Sequence, residues 1–148
     1  MADSVTREQR SANMRAIKSK DTAPEILARR AAHRFGLRFR THTARLPGRP
    51  DIVLPKYTTV IFVHGCFWHG HKACRRSALP KSNLNFWSEK IERNRVRDRQ
   101  AYRGLRQLGW NVIIIWQCQI PNLEKALLRL SAEVNAIKAR YPRKKLLP

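Results

Sequence analysis

Asp51-Ile-Val-Leu-Pro-Lys-Tyr-Thr-Thr-Val-Ile-Phe-Val-His64 holds two apolar runs parted by a short break. Asp51 to Leu54 and Thr58 to His64 are rich in β-branched and aromatic residues, and Pro55-Lys-Tyr57 between them reads as a tight connection. Strands joined so closely begin a sheet. Upstream, Leu37 to Thr41 reads as another strand, followed by the turn Leu46-Pro-Gly-Arg-Pro50. Downstream, Trp110 to Trp116 reads as an apolar strand, central in the sheet.

Helical patterns lie on both sides of these strands. Thr6 with Gln9 forms a capping-box start for a short basic helix over Arg7 to about Lys18, thin in apolar residues. Thr22 opens a second helix, with Pro24 in its first turn and Glu25 third, running through Ile26, Leu27, Ala31 and Ala32 to a stop at Gly36. A long helix fits Phe86 to Leu108, closed by Gly109. Trp87, Ile91, Ala101, Tyr102, Leu105 and Leu108 share one face of it, and Asn94 and Asp98 lie on the same stripe. Arg93, Arg95, Arg97, Arg99, Arg103 and Arg106 crowd the remainder. Leu123 to about Ala139 reads as a last amphipathic helix, and Arg140 to Pro148 as a basic tail. The order α-α-β-β-β-α-β-α predicts a mixed α/β domain with helices flanking one sheet.

The chain has 148 residues, 43% of them hydrophobic, which suits one globular domain. Its formal charge is +21, so a polyanion belongs to the working state, nucleic acid first and an anionic membrane surface second. The longest apolar run, Val112 to Trp116, is far too short to span a bilayer, and no secretory h-region follows Met1. Three cysteines without an export signal read as reduced thiols, buried or bound to metal, and exclude a secreted disulfide scaffold.

The densest chemistry runs from Asp51 to Cys74. Cys66, His71 and Cys74 have the spacing C-x4-H-x2-C, and Cys118 stands just beyond the last strand. Together they offer three thiolates and one imidazole, a closed tetrahedral set for structural zinc; the alternative is three unrelated buried cysteines. Asp51 suits an oxygen-liganded Mg²⁺, or is an ordinary turn residue after Pro50. His69 could take a proton from water in phosphodiester hydrolysis, or could support the zinc site. Glu25 already has a role as the third residue of a capping box. Phe67-Trp68 and Phe86-Trp87 are bulky pairs in polar surroundings, either wedges for stacked bases or core, with Phe86 read as core. Met14 leans to minor core on composition alone.

Several blocks then agree in order and spacing with one family. Asn13-Met-Arg-Ala-Ile17, Asp21-Thr-x-x-Glu25, Leu46-Pro-Gly-Arg-Pro-Asp51, His64-Gly-Cys-Phe-Trp-His69, Phe86-Trp-x-Glu-Lys-Ile91, Asn94, Arg97-Asp-Arg99, Leu108-Gly-Trp-x-Val112 and Trp116-x-Cys118 resemble the very-short-patch repair (Vsr) DNA mismatch endonucleases. The resemblance covers about residues 8 to 120. It implies a restriction-endonuclease-like α/β core and Mg²⁺-dependent nicking of one strand, 5′ to the mispaired T of a T:G mismatch left by deamination of 5-methylcytosine.

On matching positions it implies that Asp51 and the backbone carbonyl of Val63 hold Mg²⁺ and that His69 is the general base. Glu25 and His64 would order water and phosphate. Phe67, Trp68 and Trp87 would form an aromatic wedge from the major groove, and Met14 would enter the minor groove. Cys66, His71, Cys74 and Cys118 match a structural Zn²⁺ site. Residues 1–20 would be a basic arm on DNA, 21–139 the endonuclease domain and 140–148 a basic tail. Further implications are a cytoplasmic, nucleoid-associated monomer acting on double-stranded DNA, linked functionally to a DNA cytosine methyltransferase and mismatch-repair proteins. Two features depart from the family. Lys72 and Ala73 separate the second and third zinc ligands where one residue is expected, and the C-terminus is shorter and more basic. Composition alone equally fits a zinc-stabilised DNA-binding module without catalysis, and a related nuclease with another mismatch or site is a third reading.

Overall fold

The computed structural model describes residues 21–140. The expected first helix, Met14 with it, and the tail beyond 140 lie outside the described residues. Three strands form one sheet in the order β1-β2-β3: β1 is Ile52–Leu54, β2 is Thr59–His64 and β3 is Asn111–Trp116. β1 and β2 pair antiparallel with Ile52 opposite Ile61, across a single 3₁₀ turn at Pro55–Tyr57. Thr58 leaves that turn in the left-handed region, φ 46°, and its N–H closes the turn on the Pro55 carbonyl at 3.2 Å. β2 and β3 run parallel, from Thr59 opposite Asn111 to His64 opposite Trp116. A parallel pair needs a crossover, and the chain between them supplies one, the helix α2 at Leu84–Gln107.

Alternation along the strands sorts the core into two layers. Ile52, Leu54, Ile61, Val63 and Ile115 face one side, against α1 (Ala23–Arg34) and α3 (Leu123–Arg140). Ala28, Ala31 and Ala32 of α1 are buried there, small enough to let the two helices approach closely. Val53, Val60 and Phe62 face the other side, against Leu105 of α2, Leu46 and Tyr102. All six residues of β2 are buried. The period of two therefore sends His64, two residues after Phe62, toward α2.

Several expectations change. β2 is the central strand of the described sheet, and β3 lies at its edge. The apolar run at β3 is only half-buried, with Ile115 alone fully covered. Its free edge is met by polar side chains, with Arg129 donating to the Ile114 carbonyl (3.1 Å) and the Trp116 N–H donating to Gln119 Oε1 (3.0 Å). Leu37 to Thr41 forms no strand. Arg40 alone pairs with Val53, exchanging two 2.9 Å hydrogen bonds, and His42 at φ 56° turns the chain away. Leu108 is 63% exposed, because the helix ends at Gln107 and leaves it on a solvent-facing cap. The capping box at Thr22 is offset. Thr22 Oγ1 accepts from the Glu25 N–H at 3.5 Å, but the Glu25 carboxylate accepts from Asp21 N–H at 2.8 Å rather than from Thr22.

Candidate active site and metal centre

Two polar clusters bracket the C-terminal end of β2. The first rests on the sheet. Asp51, immediately before β1, accepts the Val63 N–H at 2.6 Å, which ties the carboxylate to the adjacent strand. Burial pushes its carboxyl up to about 7 against the pull of that hydrogen bond, and the neighbouring Glu25 adds to the rise while His69 and Arg29 oppose it. Glu25 is itself 6% exposed. Both carboxylates line a cavity of about 320 Å³ with Arg29, His42, Ala44, Arg49 and Pro50. Two acidic groups forced together out of water, one of them held partly protonated, suit a cation that would relieve both costs.

His64 and His69 stack with ring centres 3.7 Å apart and planes 13° apart. His69 Nδ1 lies 2.7 Å from Asp98 Oδ2, while His64 Nε2 hydrogen-bonds the Tyr102 hydroxyl. Asp98 and Tyr102 are one turn apart on α2 and fix the two rings. Burial lowers His64 to about 3, with His69 adding and Asp98 opposing, so His64 is a neutral imidazole at physiological pH. Burial raises the Tyr102 hydroxyl, which stays protonated. His64, His69 and Asp98 are close enough to be counted as a metal group. The stacked rings argue otherwise, since their lone pairs lie in two nearly parallel planes, with ring centres 3.7 Å apart, and do not converge on one point.

The second cluster is Cys66, His71, Cys74 and Cys118, whose ligand atoms all lie within 4.8 Å of one another. Cys66 follows β2, Cys118 sits in the 3₁₀ turn after β3, and the parallel register of the two strands brings them together. His71 Nδ1 is 3.5 Å from Cys118 Sγ, and its ring stacks on Trp116 at 4.1 Å. Cys74 is fixed by Ser77, whose hydroxyl donates to the carbonyls of both His71 and Cys74. Burial pushes the Cys66 thiol up to about 11, with Cys118 and Cys74 adding to it. Cys74 is lowered despite desolvation, by the Arg76 N–H and the two neighbouring thiols. Three thiols sharing protons around an imidazole fit a thiophilic cation, and the donor set is that of tetrahedral zinc.

Between the clusters the chain makes a tight loop. His69 N–H bonds Gly65 O, Gly70 N–H bonds Phe67 O and His71 N–H bonds Cys66 O, at 2.9–3.2 Å. Gly70, at φ 59°, lies so close to α2 that a Cβ there would stand 2.7 Å from Ile91. Asn94 Nδ2 donates to the Trp68 carbonyl at 2.9 Å. The loop therefore presents Phe67 and Trp68 from a fixed base. Their rings meet each other and Trp87 edge-on at 5.1–5.9 Å. Trp87 is 7% exposed and supports the pair from behind, whereas Phe86 is 52% exposed and reverses the expectation that it is core. Consecutive helical residues point about 100° apart, so only one of the two can face inward.

The family model for the DNA mismatch endonuclease Vsr matches residues 2–76, half of the chain. The chain belongs to the Vsr family. The DNA mismatch endonuclease Vsr of Escherichia coli K12 is 46% identical over 125 residues, 84% of this chain and 80% of that one. The type II nicking enzyme V.XorIIP of Xanthomonas oryzae is 48% identical over 130 residues, 88% and 95% of the two chains. V.NmeAIP of Neisseria meningitidis, also a type II nicking enzyme, is 44% identical over 138 residues, 93% and 98%.

Against the Vsr resemblance, the structure brings Glu25, Asp51, His64 and His69 to one end of the sheet and gathers the four Cys/His residues beside them. Ala73, within the two-residue spacer between His71 and Cys74, takes a left-handed conformation at φ 54° that shortens the spacer's path. The carbonyl of Val63 was expected to hold metal; the contact seen at Val63 is its N–H on Asp51. Asp98, Asn94 and Tyr102 were assigned no role from sequence. The signal for the first two was present, as polar residues four apart inside an otherwise apolar helical stripe.

Proposed function

We propose that this protein nicks one strand of duplex DNA on the 5′ side of the mispaired T in a T:G mismatch, starting the repair of deaminated 5-methylcytosine. The observation that carries the reading is half-buried Asp51 beside buried Glu25, within charge range of His69, whose Nδ1 is held by Asp98. Asp51 and the Val63 carbonyl would hold a cation, Mg²⁺ in this reading, with Glu25 ordering its water; it would neutralise charge on the phosphate and lower the pKa of water.

The chain's own residues do the rest. Asp98 accepts from His69 Nδ1–H, which leaves the Nε2 lone pair free to take a proton from the attacking water. The water oxygen forms a bond to phosphorus as the bond to the leaving sugar oxygen breaks. His64, neutral and stacked on His69, fixes the ring plane and can donate or accept one hydrogen bond without adding charge. Phe67 and Trp68 open the stack, with Trp87 behind them. Unstacking costs about a few kcal/mol per step and least at a wobble pair, so selectivity arises partly from deformability.

Cys66, His71, Cys74 and Cys118 would hold Zn²⁺, which would keep that loop in place. The sheet and its flanking helices fit a restriction-endonuclease-like core, and a nick in one strand of an asymmetric lesion fits a monomer. The family supports the activity; the target is tested with 20-base-pair duplexes carrying each mismatch in several flanks, with Mg²⁺. A nick at T:G, mapped 5′ to the T, supports the reading. Binding without a nick on any duplex makes the protein a DNA-binding module, and a nick at another mismatch or site reassigns the target.

A further inference from the structure

The turn Leu46-Pro-Gly-Arg-Pro50 is fixed more firmly than its position between β-structure and helix requires. Its N–H of Arg49 bonds the Leu46 carbonyl at 3.1 Å. Gly48, at φ 73°, sits where a Cβ would stand 2.6 Å from Ala101 Cβ and 3.1 Å from the Phe62 ring. Pro47 packs against Gly104, and Pro50 is fully buried. Arg49 then takes φ 49°, a conformation costly for a side chain and more so before proline. Strain of this kind, held by its surroundings, clusters at ligand sites.

The side chain so presented lines the cavity of Asp51 and Glu25. Other cations on that wall are already engaged. Arg29 bonds Asp21 Oδ1 at 2.7 Å and Glu25 Oε2 at 3.3 Å, and His42 Nε2 lies 3.1 Å from Asp21 Oδ1. Arg49, by contrast, makes no side-chain hydrogen bond or ion pair among the described residues, although Asp51 is two positions away. The buried side-chain donor left without a partner among the described residues, Nε of Arg29, belongs to the same wall. An unpaired guanidinium on a fixed backbone, beside carboxylates that suit a cation, is arranged for an anion shared with that cation. A phosphodiester meets the requirement, and the fork of a guanidinium suits its two free oxygens.

We propose that Arg49 binds a DNA backbone phosphate next to the scissile bond, in the cavity it shares with Asp51 and Glu25, and so sets which bond is cut. This rests on the nicking activity proposed above. The test pairs Arg49→Gln and Arg49→Lys with T:G duplexes in which single phosphates around the nick are replaced by neutral methylphosphonates. Binding is measured without Mg²⁺ and nicking with it.

In the wild type, one substitution flanking the nick should weaken binding about tenfold. In Arg49→Gln that same substitution should change binding less than about twofold, because the partner charge is already gone. The salt dependence should become shallower by about 0.9 in log–log slope for Arg49→Gln and stay unchanged for Arg49→Lys. Arg49→Lys should nonetheless nick more slowly or at a scattered position, since an ammonium cannot fix two oxygens. An equal methylphosphonate penalty in the wild type and Arg49→Gln overturns the assignment. If Arg49→Gln does not fold, Arg49→Lys decides: unaltered cut position and rate overturn it. Failure of the wild type to nick T:G duplexes refutes the activity instead, and the two failures are distinguishable.

Discussion

Sheet and loop meet at the end of β2, and each positions its functional residues by different means. Asp51, Glu25 and His64 are carried by elements that are buried for their own reasons. Ile52, Ile61 and Val60 are fully excluded from water, and the polar groups ride at the ends of those runs. Residues 65–83 have no such support. Of the three quartet residues in this segment, His71 and Cys74 are partly exposed, and the segment is held by Ser77, Asn94 and the Cys/His quartet that Cys118 completes. One site is placed by hydrophobic burial and could exist without metal. The other, in the zinc reading proposed above, would be placed by ligation, and metal binding there would be part of the folding free energy.

Cys118→Ser should separate the two most sharply. One ligand lost from a closed set should drop bound zinc from about one per chain to near none and destabilise the domain by about 3 kcal/mol or more, read by metal analysis and denaturant unfolding. Retention of full stability without zinc would mean that the loop, like the sheet, is held by packing. Asp98→Asn keeps the size of the side chain and loses its charge. It should slow single-turnover nicking by about 10²-fold while mismatch binding holds, because the tautomer and orientation of His69 are no longer enforced. A loss confined to binding would contradict a role for Asp98 through His69.

pH resolves the two buried groups within the sheet-borne site. Asp51 titrates near 7 in the fold against an ordinary 3.8, so its contribution is whole below 3.8 and is lost as pH rises toward 7. His64 titrates near 3 against 6.5, so its contribution is whole above 6.5 and is lost as pH falls toward 3. Between about pH 4 and 6.5 the two slopes oppose each other. In Mg²⁺-free buffer, Asp51→Asn should therefore gain stability relative to wild type as pH rises through that window, by up to about 1.4 kcal/mol per unit. His64→Gln should gain as pH falls. Slopes of the same sign in both variants would break this account of the buried pair.

The smallest effect belongs to Phe86→Ala. Half-exposed beside Trp87, with ring centres 5.2 Å apart, and with Lys90 Nζ 5.9 Å from its own ring centre, Phe86 has little core to lose. Its removal should leave unfolding stability within about 0.5 kcal/mol, and a larger loss would return it to the core reading.

Much of this was legible in the residues, and the exceptions have causes. The two runs from Asp51 to His64 announce their pairing because alternation and a proline-led break leave one register. The Cys/His group is legible because thiols and imidazole at C-x4-H-x2-C, with Cys118 beyond the last strand, are brought together by the fold. Leu37 to Thr41 has strand composition but only Arg40 finds a partner, and no local pattern reports that. β3 looks central because its run is apolar, while its edge is met by Gln119 and Arg129, polar residues outside the strand that its own pattern does not announce. Trp87 and Phe86 are equally apolar neighbours, and which one turns inward is decided by α2 as a whole. Asp98 was readable as a polar interruption of an apolar stripe, but its partner, His69, was not.

The central claim is that Asp51, held by burial and the Val63 N–H, makes this a nuclease and not only a mismatch binder. The direct measurement is single-turnover nicking of a T:G duplex with Mg²⁺ by wild type and Asp51→Asn, alongside the binding of each. The account predicts a single cut 5′ to the mispaired T by the wild type, and background cleavage with retained binding by Asp51→Asn. Cleavage by Asp51→Asn at the wild-type rate would contradict it.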